Sequence, residues 1–409
     1  SAVASPIVLT SADTTAATVD LNGAKFVILD GRPGGAGTAK RLTIANSSTS
    51  GRAVRFINEA SVNTLRHLTL QGVNTSASSG TVVFSTTTGV NGNDDNTIST
   101  CDIRDGASTP ANGIFSSGSA EPADNSGNTI SACNIFNFYR STAVDAAGVR
   151  VESGNNNWTI SGNSFYQTAS RAGVAATVRA IHLTNTSDNQ HLVTGNFIGG
   201  TAPGAGGTAW TATGTTQPYV FVGIWLRVGN NTATSVQGNT IRNFAWSSSS
   251  NATLQPGVWT GIHVETGAAD IGTVTGNIIG SGTGTGSVSI TTAGDGGSME
   301  ALIERQLRNA DQALGTRASE AGERRSVTTY DLDMLNVESR FEIPRIVQAL
   351  KARGHGSLCF WGAPGTGKTA LAEHIARALE RPLMIKQASD LMSKFVGETE
   401  QNMAAMFRE

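Results

Sequence analysis

Ile98–Ile103 (ISTCDI), Ile130–Ile135 (ISACNI) and Ile160–Phe165 (ISGNSF) repeat one pattern, which decides the fold of the first part of the chain. Three further copies lie at Val193–Ile198, Val236–Ile241 and Val274–Ile279. In every copy an aliphatic residue is followed three positions later by Cys or Asn and five positions later by Ile or Phe. Such self-similarity is typical of stacked repeat architectures, in which each repeat buries its apolar face against its neighbours.

A second repeated segment precedes four of these copies. It reads GVRV, AIHL, GIWL and GIHV at Gly148–Val151, Ala180–Leu183, Gly223–Leu226 and Gly261–Val264. From its second residue to the start of the next copy the interval is 11 residues once and 12 residues three times. A strand, a turn and a second strand at nearly fixed spacing, with variable loops elsewhere, predict a mainly β chain that forms a right-handed parallel β-helix over about residues 20–280.

Asparagine recurs at one position of the repeat. Because side chains alternate between the two faces of a strand, the Ile, Val and Phe residues are expected to point into the core. The asparagines then fall at one corner of successive coils, where stacked amides can hydrogen-bond along the axis and satisfy the turn backbone. They are Asn163, Asn196, Asn239 and Asn277.

Two cysteines occupy the same position in earlier copies. Cys101 and Cys133 would lie in adjacent coils about 4.8 Å apart, close enough for a disulfide bond. Two stacked reduced thiols are the preferred interpretation, and the three cysteines of the chain do not make a disulfide framework.

The repeat region resembles the parallel β-helix regions of large secreted or cell-surface bacterial proteins, over most of residues 20–280. The resemblance implies a structural surface protein, an adhesin or carbohydrate-binding protein, or a polysaccharide lyase or hydrolase. Fold alone does not choose between these activities. A glycan is therefore one expected partner of this region.

A sugar-cleaving site would need two nearby carboxylates, or acidic residues that bind calcium beside an arginine base. Asp94 and Asp95 lie in an Asn/Gly-rich turn, and Asp102 and Asp105 flank Arg104. Solvated turn carboxylates are the favoured interpretation of these residues, with a catalytic role as the alternative.

Two histidines and a tryptophan occupy equivalent outward positions in three successive coils. His182, Trp225 and His263 could form a column that contacts a glycan. The favoured alternative is an exposed sheet surface on which these residues have no role. Their spacing does not suit a metal site.

A phosphate-binding loop follows in the last part of the chain. An apolar segment, Ser357–Trp361, is predicted to be a strand, and residues 370–379 are predicted to be a helix with Leu371 and Ile375 on one face. Between them the chain matches G-x-x-x-x-G-K-[ST] in every fixed position. The matching residues are Gly362, Ala363, Pro364, Gly365, Thr366, Gly367, Lys368 and Thr369.

The residue types of this loop suit Mg-ATP. Its glycines let backbone amides and the positive end of the following helix point at the phosphates. Lys368 would neutralise the β- and γ-phosphates, and the Thr369 hydroxyl would bind Mg²⁺. ATP and Mg²⁺ are therefore the predicted cofactors.

The sequence beyond the loop strongly resembles AAA-type ATPases. Leu383–Ile385 would be the next strand, and Ser389–Glu400 contains the aromatic-aliphatic-Gly step Phe395, Val396 and Gly397. The resemblance implies that this step lines the pore of a homo-oligomeric ring and grips a polypeptide client. The alternative is that the two apolar residues simply pack at a turn.

Elements needed for hydrolysis do not follow. In the family, acidic residues at the end of the next strand, a polar sensor and an arginine finger complete the site. The chain ends at Glu409 before any of these. The expectation is an incomplete α/β P-loop module that binds ATP and does not hydrolyse it.

Composition divides the chain into two domains. Of the 29 Lys and Arg and 31 Asp and Glu residues, half lie in residues 299–409. The predicted division is a β-helix domain at 1–280, a Gly/Ser/Thr-rich linker at 281–298 and an ATPase module at 299–409. A net charge of −2, without a run of Lys or Arg, gives no reason to expect nucleic acid. No stretch reaches the roughly 18 apolar residues of a membrane span.

The two parts disagree about localisation. A β-helix of this type suggests the cell surface or the extracellular space, whereas an ATPase suggests the cytoplasm. One hypothesis is a joined or truncated reading frame in which Met299 is the start of the ATPase.

Overall fold

A computed structural model of the chain describes residues 6–187, 190–249, 256–281, 287–292, 342–353, 358–361 and 368–379. The chain divides into two compact units, Ser1–Thr316 and Arg317–Glu409. Unit 1 is built from parallel sheets, and the α-helices of the described residues belong to unit 2. The protein is therefore mainly β, with few helices.

Three long parallel sheets make up most of unit 1. In the described residues, sheet 1 contains β1 (Ile7–Ser11), β4 (Leu42–Asn46), β7 (Leu68–Gly72), β10 (Asp102–Asp105), β14 (Asn134–Phe136), β18 (Ser164–Tyr166), β22 (Phe197–Ile198), β26 (Thr240–Ile241) and β30 (Ile278–Ile279). Sheet 2 contains β2 (Ala17–Asn22), β5 (Arg52–Ile57), β8 (Val82–Phe84), β11 (Asn112–Ser116), β15 (Ala146–Val151), β20 (Thr177–Thr184), β24 (Val220–Arg227) and β28 (Trp259–Thr266). Sheet 3 contains β3 (Ile28–Asp30), β6 (Thr64–Arg66), β9 (Thr97–Ser99), β13 (Thr129–Ser131), β17 (Thr159–Ser161), β21 (Leu192–Thr194), β25 (Thr234–Gln237) and β29 (Ala269–Ile271).

The chain visits these sheets in a fixed order. It passes through sheets 1, 2 and 3 and then returns to sheet 1, so each strand pairs in parallel with the strand one circuit earlier. Ile98 lies beside Ile130, which lies beside Ile160, and all three side chains are fully buried. The repeated sequence positions thus form apolar columns in the core, and burial of each such side chain contributes roughly 1.5–3 kcal/mol.

Smaller elements extend these circuits. Sheet 4 contains β19 (Arg171–Ala172), β23 (Trp210–Thr213), β27 (Phe244–Ser248) and β31 (Val288–Thr292), and a two-stranded pair contains β12 (Asn125–Ser126) and β16 (Asn155–Asn156). Two 3₁₀ turns lie at Pro33–Gly35 and Pro203–Ala205. The strands of sheet 4 bring aromatic rings together beside sheet 2, where Trp210 and Phe244 both pack against Phe221.

The strands extend beyond the predicted limits of the repeat region. They begin at Ile7 and continue to Thr292, whereas the sequence predicted about 20–280 and a linker at 281–298. Within that linker, Val288–Thr292 pairs with Phe244–Ser248, so the linker prediction is wrong for these five residues. The reason is local: Val288 and Ile290 alternate with Ser and Thr, which suits a half-buried strand.

The predicted asparagine ladder is confirmed. Asn163 donates from its backbone N–H and from Nδ2 to Oδ1 of Asn196, at 3.0 and 3.1 Å. Asn196 donates in the same way to Asn239 at 2.9 Å each, and Asn239 to Asn277 at 2.9 Å each. Each amide therefore satisfies a buried turn of one coil with a side chain of the next.

Two cysteines take the place of asparagine at the start of this ladder. Cys101 and Cys133 are buried free thiols, as the preferred interpretation of the sequence had it. The Cys101 N–H donates to Sγ of Cys133 at 3.4 Å, and the Cys133 N–H donates to Oδ1 of Asn163 at 2.9 Å. Burial raises the pKa of the Cys101 thiol well above its ordinary value.

The structure contains a second asparagine ladder that was not predicted from the sequence. Asn63 donates to Oδ1 of Asn96, and Asn96 donates to Oδ1 of Asn128. One circuit further along the same corner, the backbone N–H of Trp158 donates to Nδ1 of His191 at 3.2 Å. A histidine here provides the acceptor that asparagine provides in earlier coils.

Unit 2 contains two helices in its described part, α1 (Ile343–Arg353) and α2 (Lys368–Ala378). The second was predicted from apolar periodicity. Residues 358–361 have no regular secondary structure, so the strand predicted at Ser357–Trp361 is absent from the part of it that the structure describes. A parallel strand exists only through hydrogen bonds to a neighbour, and the predicted neighbour Leu383–Ile385 lies outside the described residues. Among the described helices none is long and apolar enough to cross a membrane.

Candidate nucleotide-binding site

The helix that follows the glycine-rich loop is the described part of the candidate nucleotide site. Helix α2 begins at Lys368, directly after Gly362–Gly367. Leu371 and Ile375 lie one turn apart on its buried face, with 3% and 6% of their surface exposed. This face was predicted from the sequence.

The first turn of α2 is suited to an anion. It contains no acidic residue, so no carboxylate of the helix competes for the N-terminal amides. Lys368, its first residue, is half-buried and carries a positive charge. This environment fits a bound phosphate, which helix N-termini accept through amide groups and the helix dipole.

Most of the predicted site residues lie outside the described part of the chain. Residues 362–367 of the loop and the pore-loop residues Phe395, Val396 and Gly397 are in this group. Before the loop, Trp361 is 96% exposed. The structure thus positions the helix and Lys368 of the predicted site.

Unit 1 contains the carboxylates that the sequence analysis considered for a sugar-cleaving site, and Asp94 is one of them. The Asp94 carboxylate accepts a hydrogen bond from the Ser126 N–H at 2.8 Å, which ties the turn to the next coil. Burial raises the pKa of Asp94, and the neighbouring Asp95 adds to the shift. Among the described residues no group of three or more His, Cys, Asp or Glu is placed to hold a metal ion.

Asp102 and Asp105 are each held by other side chains. Asp102 accepts from Nζ of Lys40 at 2.5 Å and from Nδ2 of Asn134 at 2.7 Å, both on Oδ1. Asp105 accepts from Asn137 at 3.0 Å and forms an ion pair with Arg104 at 3.5 Å. Both carboxylates are therefore fixed by hydrogen bonds or ion pairs on the surface of sheet 1. The contact of Asp102 with Lys40 was not predicted from the sequence.

The predicted column of His182, Trp225 and His263 is present, but it is not an open surface. The indole ring lies 5.7 Å from the His182 ring and 4.7 Å from the His263 ring. The Arg179 guanidinium covers the indole at 4.3 Å, and the indole N–H donates to Glu265 at 2.9 Å. His182 and His263, which lie on either side of the indole, expose only 7% and 9% of their surface. The prediction that these positions form an exposed surface is wrong for the two histidines, whereas Trp225 is partly exposed.

The buried histidines of unit 1 are held neutral. Burial, together with the charges of Arg179 and Arg150, lowers the pKa of His182 to about 2. Burial alone lowers the pKa of His191 to about 4. His191 was not singled out in the sequence, and a signal for it exists: it stands at the corner position that asparagine occupies in earlier coils.

The last part of the chain is similar to known ATPases. Residues 358–409 match the profile of the ATPase family associated with various cellular activities (AAA). An uncharacterized protein of Acidianus two-tailed virus is 45% identical over 65 residues, which are 15% of this chain and 12% of that protein. The cell division cycle protein 48 homolog of Archaeoglobus fulgidus is 33% identical over 73 residues, or 18% and 10% of the two chains. The vesicle-fusing ATPase of Dictyostelium discoideum is 33% identical over 72 residues, or 17% and 10%.

These similarities concern a small part of each protein. The matched segments make up about a tenth of the length of the curated relatives. No solved structure is significantly similar to the chain. At the level of the family, the similarities support AAA-type nucleotide chemistry in the C-terminal part.

Proposed function

We propose that the C-terminal unit binds Mg-ATP through the P-loop at Gly362–Thr369. The observation that carries the proposal is the position of α2, whose N-terminus begins at Lys368 at the end of the glycine-rich run and has no acidic residue in its first turn. The AAA match over residues 358–409 supports the same site. In this proposal the six loop residues and Lys368 surround the phosphates, and Thr369 holds the Mg²⁺.

Each residue type has a separate role in this site. The Lys368 ammonium would balance phosphate charge, and removal of its side chain would leave that charge uncompensated. When bound, Mg²⁺ would neutralise the phosphate oxygens and fix their orientation. The proposal concerns binding; ATP hydrolysis, ring assembly and grip of a polypeptide by Phe395–Gly397 are further family-level proposals that rest on resemblance.

Calorimetry tests the proposal. Mg-ATP is titrated into the full chain, into Lys368→Ala, and into the control Lys351→Ala in α1. We expect binding by the full chain and the control, with affinity reduced at least tenfold in Lys368→Ala. EDTA should weaken binding by the full chain. Equal affinity of the full chain and Lys368→Ala, or no binding by either, contradicts the proposal.

We also propose that unit 1 is a right-handed parallel β-helix and that an independent ATPase module follows it. The fixed order in which the chain visits sheets 1, 2 and 3, with parallel pairing at each return, supports the first part. The separation into two compact units supports the second. A crystal structure of residues 1–298 that gave a left-handed winding or another connection between the sheets would refute the fold proposal.

A further inference from the structure

A lysine, a carboxylate and a primary amide meet on the outer face of sheet 1. Asp102 on β10 lies in register with Asn134 on β14, so their side chains stand next to each other on one face of the sheet. Lys40 precedes β4, yet it reaches Asp102 past β7, which lies between β4 and β10. The three groups therefore come from three different circuits of the chain.

One carboxylate oxygen binds both nitrogen groups. Oδ1 of Asp102 accepts from Nζ of Lys40 at 2.5 Å and from Nδ2 of Asn134 at 2.7 Å. Because an ionised carboxylate only accepts hydrogen bonds, the amide must present its nitrogen to this oxygen. The amine and the amide nitrogen are thus no further apart than the sum of these two distances. Asp102 is placed to carry a proton from one nitrogen to the other.

The ion pair is largely shielded from water. The side chains of Lys40 and Asp102 expose 20% and 28% of their surface. Beside them the buried rings of Phe136 and Tyr166 stack at 4.7 Å. Burial, and then the charge of Asp102, raise the pKa of Tyr166 to about 12, so its hydroxyl stays protonated at neutral pH. Partial removal of water favours the neutral forms of an amine and a carboxyl group, which is the state in which an amine is a nucleophile.

The loop before Lys40 has room to move. Residues 32–39 include Gly34, Gly35 and Gly37, and an added Cβ at any of these three would meet no atom within 4 Å. The loop therefore stands clear of its neighbours at these positions. A small shift of this loop and of the flexible lysine side chain can bring Nζ to within about 3–3.5 Å of Cγ of Asn134, the distance from which an attack proceeds.

We propose that Lys40 and Asn134 join in an intramolecular amide bond, with Asp102 as the catalytic residue. Asp102 takes a proton from the Lys40 ammonium, and the freed Nζ lone pair attacks Cγ of Asn134. Asp102 then gives the proton to Nδ2, and the bond between Cγ and Nδ2 breaks with its electron pair on nitrogen. The ammonium and the primary amide become a secondary amide and one ammonium ion. No atom is oxidised or reduced, and no co-reactant is needed.

The bond would tie distant circuits together. It would join residues 40 and 134 across β7 and β10, so β4, β7, β10 and β14 would be spanned by one covalent link. A link between distant positions restricts the unfolded chain and so favours the folded state. This modification site lies in unit 1 and is independent of the nucleotide site.

Mass spectrometry of the full chain tests the bond. We expect an intact mass below that of the sequence by one ammonia per chain, reached after incubation at neutral pH. Trypsin cleaves after Lys and Arg, but it cannot cleave after an acylated lysine. Digestion should therefore yield residues 26–41 joined to residues 105–140, and fragmentation should place the junction at Lys40 and Asn134.

Three variants and a control separate the roles of the groups. Lys40→Arg keeps the charge beside Asp102 and should lose no ammonia, and Asn134→Ala should lose none. Asp102→Asn should slow formation of the bond about a hundredfold or more. The control Lys25→Arg changes a lysine that pairs with another carboxylate, Glu59, at 3.9 Å, and it should form the bond as the unchanged chain does. Far-ultraviolet circular dichroism spectra that match that of the unchanged chain show that the variants are folded.

Three results would overturn the proposal. The first is a full chain that keeps its sequence mass after prolonged incubation. The second is an ammonia loss that Lys40→Arg retains, which would mean a cyclic imide at an asparagine. The third is loss of water with a junction at Asp102, which would make the carboxylate the acceptor of the bond in place of Asn134.

Discussion

At the scale of single residues, unit 1 depends on side chains that satisfy buried backbone. Asn163, Asn196 and Asn239 are fully buried, and each both donates to and accepts from a neighbouring coil. A polar group buried without such partners costs about 1–3 kcal/mol. These residues therefore matter because their loss leaves other groups unsatisfied.

Asn196→Ala should be strongly destabilising. The change removes the acceptor of the Asn163 N–H and the donor to the Ile160 carbonyl, both within buried turns. We expect a loss of roughly 2–5 kcal/mol in the free energy of unfolding of unit 1, measured by urea denaturation. Asn91→Ala, at an exposed position, should change it by about 0.5 kcal/mol or less. Equal effects of the two substitutions would show that the ladder does not stabilise the unit.

His191 should make unit 1 sensitive to acid. Its pKa is about 4 in the folded chain, below the ordinary value near 6.5, so the folded state favours the neutral form. The resulting stability is present above pH 6.5 and is lost as the pH falls toward 4, with a slope of up to about 1.4 kcal/mol per pH unit. Urea denaturation from pH 7 to pH 4 should show this slope.

His191→Asn should reduce that slope by up to about 1.4 kcal/mol per pH unit, which is the contribution of one proton. The Oδ1 atom of asparagine can accept from the Trp158 N–H, as Asn96 and Asn128 do for their neighbours in earlier coils. The control His374→Asn lies in unit 2 and should not alter the slope of unit 1. An undiminished slope in His191→Asn would assign the acid sensitivity to other groups, such as His182.

At the scale of elements, the circuits of sheets 1 to 3 are regular, while sheet 4 is added only in later coils. Its first three strands, β19, β23 and β27, each lie between a strand of sheet 1 and the next strand of sheet 2 along the chain, and β31 follows the last described strand of sheet 1. They place Trp210, Phe244 and Trp246 against the core. The last of them, β31, lies in sequence that composition assigned to a linker, and its apolar residues pack on this aromatic cluster.

Ile290→Asp should detach the last strand of sheet 4. Ile290 lies beside Trp246 and is partly buried against the core, so a carboxylate there would lose apolar contact and be poorly solvated. We expect a loss of about 1–3 kcal/mol and faster proteolysis in residues 287–292. The adjacent Ser289→Asp, whose side chain is exposed, should behave as the unchanged protein does. Identical proteolysis of both variants would contradict the packing of β31.

At the scale of the whole molecule, the chain joins two units of different composition and different sequence relationships. The matched AAA segment lies entirely in unit 2, and the asparagine ladder lies entirely in unit 1. A ligand of the nucleotide site should therefore act on the unfolding transition of unit 2 alone. Since a ligand that binds only the folded state stabilises it by mass action, the transitions can be assigned by their ligands.

Mg-ATP should raise the melting temperature of one transition only. At a concentration one hundred times its dissociation constant, it should stabilise unit 2 by about 2.7 kcal/mol and leave unit 1 unchanged in differential scanning calorimetry. In Lys368→Ala, with affinity reduced at least tenfold, the stabilisation should fall to about 1.4 kcal/mol or less. A shift of both transitions by the same amount would show that the units unfold together and that their independence is wrong.

The sequence by itself determined the repeating parallel strands, the asparagine ladder, helix α2 of unit 2 and the P-loop motif. These features follow from local spacing, because strand and helix periodicity, turn residues and fixed-loop motifs are written over short stretches of chain. The tertiary structure alone decided which distant residues meet. It buried His182 beside Trp225, brought the Nδ1 atom of His191 to the backbone N–H of Trp158, and brought Lys40 to Asp102 across 62 positions. Such contacts depend on the register between coils and on the paths of the inserted loops, and neither is fixed by the residues of a single repeat.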